Sequence, residues 1–259
     1  MSVIVAADPR FETEVPVAII GAGAAGLVAA LACRDAGVEP LVIERDPVPR
    51  GSTSLSAGLI PAAGTRFQRE HGIADDPATF AADIQRKAHG QADPLTVETV
   101  SRAAGPVVEW LADRFGLPFS VVHDFDYPGH THRRMHGLPS RSGAELVDRL
   151  RAAAETAEVP LLTEARVTTL IADPDGRIRG LVAERPDGAS ERIGAGAVIL
   201  ACCGYGADKT LVRRYIPDLA DAVYFGHPGN EGHALRWAEA IGAELRDTTG
   251  HQGHGSVAH

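Results

Sequence analysis

Apolar positions change their period several times along the chain. Val17-Ala-Ile-Ile20 is an unbroken apolar run, the mark of a strand buried on both faces, and it stops at Gly21. An Ala-rich helical stretch follows, and Leu41-Val-Ile43 predicts a second buried strand. Between 45 and 64 the pattern dissolves into Gly, Ser, Thr, Pro and Ala, which predicts a loop close to whatever the first strand–helix–strand unit binds. From Pro77 the helical period returns. Residues 77–84 predict a helix with Asp75 or Asp76 as cap and Pro77 in its first turn, and 94–105 and 106–115 predict two more. Residues 123–141 read as irregular and crowded with His and Arg, and 143–154 as another helix. The period then turns to strand in 160–163, 166–172, 179–184 and 191–193. Asp173-Pro-Asp-Gly176 and Arg185-Pro-Asp-Gly188 are turns between apolar runs, so a small antiparallel meander is expected. Residues 197–201 return to the parallel sheet, and helices near 208–215 and 231–241 complete the pattern. Residues 1–14 read as a loose leader.

The first unit carries chemistry. Gly21-Ala-Gly23-Ala-Ala25-Gly26 between strand and helix, with Glu44 at the end of the second strand, is the fingerprint of a dinucleotide fold. Gly21 permits a sharp turn, Gly23 lets a pyrophosphate approach the backbone, and Gly26 lets the helix pack closely on the sheet. The helix N-terminus offers free N–H groups to phosphates. Glu44 is placed to accept hydrogen bonds from ribose hydroxyls.

Length and charge narrow the setting. At 259 residues with 44% hydrophobic content the chain can bury a substantial core. A formal charge of −9 argues against nucleic acid and anionic membranes as partners. No stretch predicts a signal peptide or membrane span, and three cysteines cannot build a disulfide framework, so a cytoplasmic protein is expected. Cys202-Cys203 follows a buried-strand pattern and reads as packed thiols rather than a reactive pair.

Further motifs occur in order. Gly51-Ser-Thr-Ser-Leu-Ser-Ala-Gly58, Asp93-Pro94, Val198-Ile-Leu-Ala-Cys-Cys-Gly204-Tyr-Gly206, Gly229-Asn-Glu-Gly232-His and Gln252-Gly-His254-Gly-Ser256 together resemble the flavoprotein family of fumarate reductases and succinate dehydrogenases. The soluble branch, with tricarballylate and 3-ketosteroid dehydrogenase-like enzymes, is the closer likeness, over most of 15–256. The resemblance implies an α/β, Rossmann-like FAD-binding fold with a parallel sheet, a helical insert and the small antiparallel meander. By the same likeness Ala25 and Glu44 contact the FAD pyrophosphate and ribose. Ser52, Thr53, Ala57 and Gly58 line the isoalloxazine, Val167 holds the adenine by main-chain hydrogen bonds, and Glu231 lies near the flavin side chain. Ala201 and Gly204 belong to the implied cofactor segment, and His254 matches a substrate-binding His. The implied reaction moves a hydride between flavin N5 and a carbon–carbon bond next to a carboxylate or carbonyl, on a dicarboxylate or enone, with an unspecified electron partner.

Departures from the family pattern accompany it. Cys203 replaces a Gly, Glu231 an Asp, and Arg50 the first Gly of a pair. The family continues into a capping domain, so 15–250 reads as an incomplete FAD-binding domain and 251–259 as the start of the cap. A non-catalytic nucleotide-binding module is therefore the alternative, and an NAD(P)-linked dehydrogenase a third reading. No His stands in the 51–58 loop, so non-covalent FAD is expected. The clusters His130-x-His132-x-x-x-His136 and His251-x-x-His254 lack the context of a metal motif, and no metal is expected. His132-Arg133-Arg134 reads either as an anion-facing loop or as ordinary solvated chain. Arg213-Arg214 reads as solvated charge.

Overall fold

Seven strands share one sheet in a computed structural model that describes residues 1–251. In chain order the strands are β1 (Ser2–Val5), β2 (Thr13–Ile20), β3 (Pro40–Ile43), β4 (Ile60–Pro61), β5 (Ser120–Val121), β6 (Met135–Gly137), β7 (Leu161–Leu162), β8 (Arg166–Ala172), β9 (Ile178–Glu184) and β10 (Ser190–Leu200). The main sheet runs β1-β8-β9-β10-β2-β3-β7, and β4-β6-β5 form a small antiparallel sheet. The helices are α1 (Ala24–Asp35), α2 (Arg66–Glu70), α3 (Pro77–Lys87), α4 (Pro94–Phe115), α5 (Gly143–Thr156), α6 (Lys209–Tyr215) and α7 (His233–Ala240).

The alternation in β2 decides what each face packs against. Ile19 is fully buried with Leu27, Leu31, Val108, Leu111, Leu146, Val147 and Leu150, so α1, α4 and α5 cover one face. Ala18 and Ile20 point the other way and pack with Ile43, Val167, Leu170, Leu181, Ile193 and Trp237. Burying one such side chain contributes about 1.5–3 kcal/mol, which fixes the register of this central strand.

Several sequence expectations are corrected. The leader holds a strand: β1 pairs parallel with β8, from Ser2 opposite Thr169 to Val5 opposite Ala172. Residues 160–163 contribute β7, which pairs parallel with β3 at the far edge and takes no part in the meander. Residues 191–193 and 197–200 belong to one strand, β10, antiparallel to β9 in its first half and parallel to β2 up to Leu200 opposite Ile20. The glycines between these two stretches are close-approach positions. A Cβ on Gly194 would lie 2.7 Å from the Phe11 ring, and one on Gly196 would lie 2.8 Å from the Pro16 carbonyl.

Helix α4 is likewise continuous through Pro106. The proline forfeits only the bond to the carbonyl of Arg102, an exposed residue. Gly105 meanwhile lets the helix touch the chain at Ala63, whose carbonyl would be 2.6 Å from a Cβ there. Asp76, Asp93 and Asp208 cap α3, α4 and α6 by accepting backbone N–H groups. No helix is long and apolar enough to cross a membrane among the described residues.

Candidate FAD-binding site

The three fingerprint glycines have different reasons to be glycine. Gly21 has φ +105° and a Cβ there would sit 2.6 Å from the Ala201 carbonyl. A Cβ on Gly26 would meet the Gly21 carbonyl at 1.8 Å. Both positions are closed to side chains by the fold itself. Gly23 is different: its nearest neighbour is Thr53 Oγ1 at 3.5 Å, an ordinary contact, and its backbone is extended. Nothing inside the chain requires glycine there. Gly23 stands at the N-cap of α1 without a side-chain cap, and the N–H groups of Ala25 and Gly26 have no acceptor among the described residues. Ala24 N–H donates to Thr53 Oγ1 at 3.1 Å. Free donors, a positive dipole end and a gap the size of a side chain fit a pyrophosphate-bearing dinucleotide.

Glu44 follows β3 and is buried at 6% exposure. Its Oε2 accepts Ala22 N–H at 2.8 Å and its Oε1 accepts Asp46 N–H at 3.0 Å, tying the glycine loop to the strand end. A carboxylate has about four acceptor sites, so each oxygen keeps capacity for a ribose hydroxyl. Ser52 and Thr53 open a 3-10 turn, Ser52–Leu55. Ser52 Oγ accepts from His227 N–H at 3.1 Å and Asn230 Nδ2 at 2.8 Å, which joins this loop to the 227–232 segment. Ala57 is exposed and Gly58 is buried against Ser142 and Gly143. Gly143 opens α5, and a Cβ on it would overlap the Thr53 carbonyl at 1.7 Å.

The fold brings the ends of β3 and β8 together at Glu231. Ala165 N–H donates to the Glu44 carbonyl at 2.9 Å. Arg45 and Arg166, neighbours of Glu44 and Val167, reach Glu231 Oε2 at 3.1 and 2.9 Å, and His233 Nε2 stands 3.2 Å away. Val167 is buried, with a bulge between it and Thr169 interrupting its ladder to β9. The Gly204 carbonyl accepts Gly232 N–H at 3.0 Å, and Ala201 N–H donates to Ile20 at 2.9 Å. Cys203 is exposed with φ +65°, the left-handed conformation that suits the glycine it replaces. Burial pushes the Cys202 thiol up to about 11, so it is protonated at neutral pH. His254 lies outside the described residues.

The basic loop is not open to anions. Arg134 is fully buried, held by Asp75 at 2.9 Å and Asp83 at 2.5 Å, with its guanidinium 4.8 Å from the Phe80 ring centroid. Arg133 pairs with Asp126 at 2.6 Å. The arginines brace the insert, which removes the anion-facing reading. Burial lowers the pKa of His136, which is bonded to Thr65 at 2.7 Å, and also that of His130. No metal-competent group of His, Cys, Asp or Glu occurs among the described residues. Arg214 pairs with Glu239 at 2.9 Å on the surface of α6. Arg45, Arg166, His227 and Gly143 went unmarked as site residues in the sequence, and Asn230 was marked only as part of a motif. Their partners lie far away in the chain, as with Arg45 and Glu231, 186 residues apart, and no local pattern announces such a contact.

Comparison with known proteins follows this geometry. A probable fumarate reductase of Shewanella frigidimarina is 31% identical over 258 residues, covering 98% of this chain and 42% of that protein. A urocanate reductase of Eggerthella lenta is 29% identical over 238 residues, covering 91% and 39%. The open conformation of a flavocytochrome c3 fumarate reductase superposes with TM-score 0.84 at 29% identity, over 91% of this chain and 42% of that one. A 3-ketosteroid dehydrogenase from Rhodococcus jostii shares the fold, with TM-score 0.79 at 23% identity over 91% and 55%. The chain thus spans about 40% of the length of the curated relatives it matches. The FAD binding domain profile matches residues 16–253, and with it the chain belongs to the FAD binding domain family.

Proposed function

We propose that this chain is the nucleotide-holding part of an FAD-dependent oxidoreductase acting on a carbon–carbon bond beside a carboxylate or carbonyl. The observation that carries the reading is the gap at Gly23 in front of the free N–H groups of α1. When bound, FAD supplies hydride transfer at its N5. Ala25 presents its N–H to the pyrophosphate, and Glu44 accepts from the ribose while holding the glycine loop. Ser52, Thr53, Ala57 and Gly58 line the isoalloxazine, and the main chain at Val167 receives the adenine. Ala201 and Gly204 shape the segment beside the glycine loop, Glu231 orients the cofactor side chain, and His254 binds substrate. The substrate is a small dicarboxylate or enone, in line with relatives named for fumarate and urocanate reduction. Electrons come from or go to a separate partner. Free thiols at Cys33, Cys202 and Cys203 fit a reducing, cytoplasmic setting.

A second reading is a nucleotide-binding module without turnover. The test is the visible absorption of the purified chain after desalting, with and without added FAD. A retained two-band flavin spectrum supports cofactor binding; a colourless chain that cannot be reconstituted refutes it. Reoxidation of the reduced flavin on adding fumarate or an enone supports the enzyme, and bound flavin inert to both favours the module.

A further inference from the structure

We propose that Arg45 and Arg166 are positioning residues for the adenosine side of the cofactor, acting through Glu231, whose carboxylate they share. The inference rests on the FAD-binding reading. Strands β3 and β8 are separated in the sheet by β9, β10 and β2. Yet the link between β7 and β8 passes directly over Glu44, which donates its N–H to Leu162 at 2.8 Å and accepts that of Ala165 at 2.9 Å. Arg45 and Arg166 therefore arrive on two sides of Glu44 and converge on Glu231 Oε2.

Two guanidinium groups on one carboxylate do two things. They fix its orientation. They also occupy Oε2 alone, and Oε1 accepts from nothing among the described residues, although the side chain is 41% exposed. An oriented carboxylate with one free oxygen is an acceptor ready for a hydroxyl. The same carboxylate fastens the 227–232 segment. Arg45 also reaches the Gly229 carbonyl at 3.4 Å, His227 Nε2 lies 3.0 Å from Asp46, and Ser52 Oγ holds His227 and Asn230. Removing Glu231 breaks the segment's tie to Arg166 and one of its ties to Arg45. Removing either arginine tilts the carboxylate.

The test is FAD affinity, read from quenching of flavin fluorescence, and ADP affinity by competition. The chains compared are the wild type, Arg45→Ala, Arg166→Ala, Glu231→Gln and Arg166→Ala with Glu231→Gln. Each single change is expected to weaken FAD and ADP by the same factor, about threefold for half-exposed ion pairs. The double change is expected to be no worse than the weaker single, since both act at one carboxylate. Arg166→Lys is expected to restore most of the affinity. Thermal midpoints of the FAD-free chains should stay together, which separates positioning from folding. Glu231→Gln that leaves FAD binding unchanged or tightened, while the arginine changes weaken it, would overturn the proposal in favour of direct contact with phosphate. Unchanged affinity in every variant would overturn it as plain surface pairing. A wild-type chain that binds no FAD would instead refute the underlying reading.

Discussion

Gly23→Ala and Gly26→Ala should separate the glycine that serves the cofactor from the one that serves the fold. At Gly23 the new methyl meets only Thr53 Oγ1 at 3.5 Å, and the backbone there is one alanine adopts freely. Loss of the better N-cap residue costs about 0.5–1 kcal/mol, and a stiffer unfolded chain returns about 0.4–1 kcal/mol. The FAD-free chain should therefore melt within about 2 °C of wild type. The methyl nevertheless fills the space before the N–H groups of Ala25 and Gly26. Displacing one or two charge-assisted hydrogen bonds, each about 1.5–3 kcal/mol, weakens FAD at least about tenfold. At Gly26 the methyl would sit 1.8 Å from the Gly21 carbonyl, and no rotamer change relieves a clash with backbone. Overpacking costs about 1–3 kcal/mol or more against a helix-propensity gain of about 1 kcal/mol, so α1 must lift from β2. A melting point lower by about 4 °C or more is expected. Differential scanning fluorimetry with and without FAD, paired with flavin fluorescence quenching, reads both quantities. Equal FAD affinity in wild type and Gly23→Ala would refute the assignment of that gap to the pyrophosphate.

Arg134→Met leaves Asp75 buried without its cation and Asp83 with Arg86 alone, and should cost about 3–5 kcal/mol in urea denaturation; a smaller loss would mean water reaches the carboxylates. Burial opposes ionisation of Asp83, but bonds from Thr131, Arg134 and Arg86 override it and hold its carboxyl well below the usual range. That stability is present above the unfolded carboxylate pKa and should fade as pH falls below about 4, an effect Asp83→Asn removes from the pH–stability curve. Burial likewise keeps His136 neutral, so its contribution is full above the unfolded value near 6.5 and should decline towards pH 5, less so in His136→Gln. Alkylation at pH 8 should modify exposed Cys203 well before Cys202, with peptide mass spectrometry reading the order; equal rates would contradict the thiol pushed up to about 11.

What the sequence made legible was local. Gly21 and Gly26 are required by contacts within one strand–helix unit, and the Pro-Asp-Gly turns close between adjacent strands. Asp76 caps α3 from the position next to its first proline. The short helix α2 carries a readable signal as well, the reciprocal Thr65 and Gln68 capping box. What stayed hidden depended on distant neighbours. Residues 191–193 and 197–201 read as separate strands because Phe11 and Pro16, which lie against Gly194 and Gly196 between them, are far away in sequence. Pro106 looked like a helix boundary because nothing nearby tells that packing at Ala63 and Val108 carries the helix across it. Arg134 looked available to anions because its two carboxylates come from 59 and 51 residues upstream.

The pairing of β10 with β2 sets a clock on synthesis. Thr13 lies opposite Ile193, so the parallel ladder at the heart of the sheet joins segments 180 residues apart. At about 5–20 residues per second, β2 leaves the ribosome roughly ten to forty seconds before its partner exists. Through that interval Ala18, Ile19 and Ile20, each nearly inaccessible in the finished protein, have an unpaired edge. The α1–β3 unit can form early from local contacts, but the ladder holding Ala201 against Gly21 closes only once β10 has been made. A newborn chain is thus expected to need chaperone shelter first and to take up nucleotide only after β10 has joined β2.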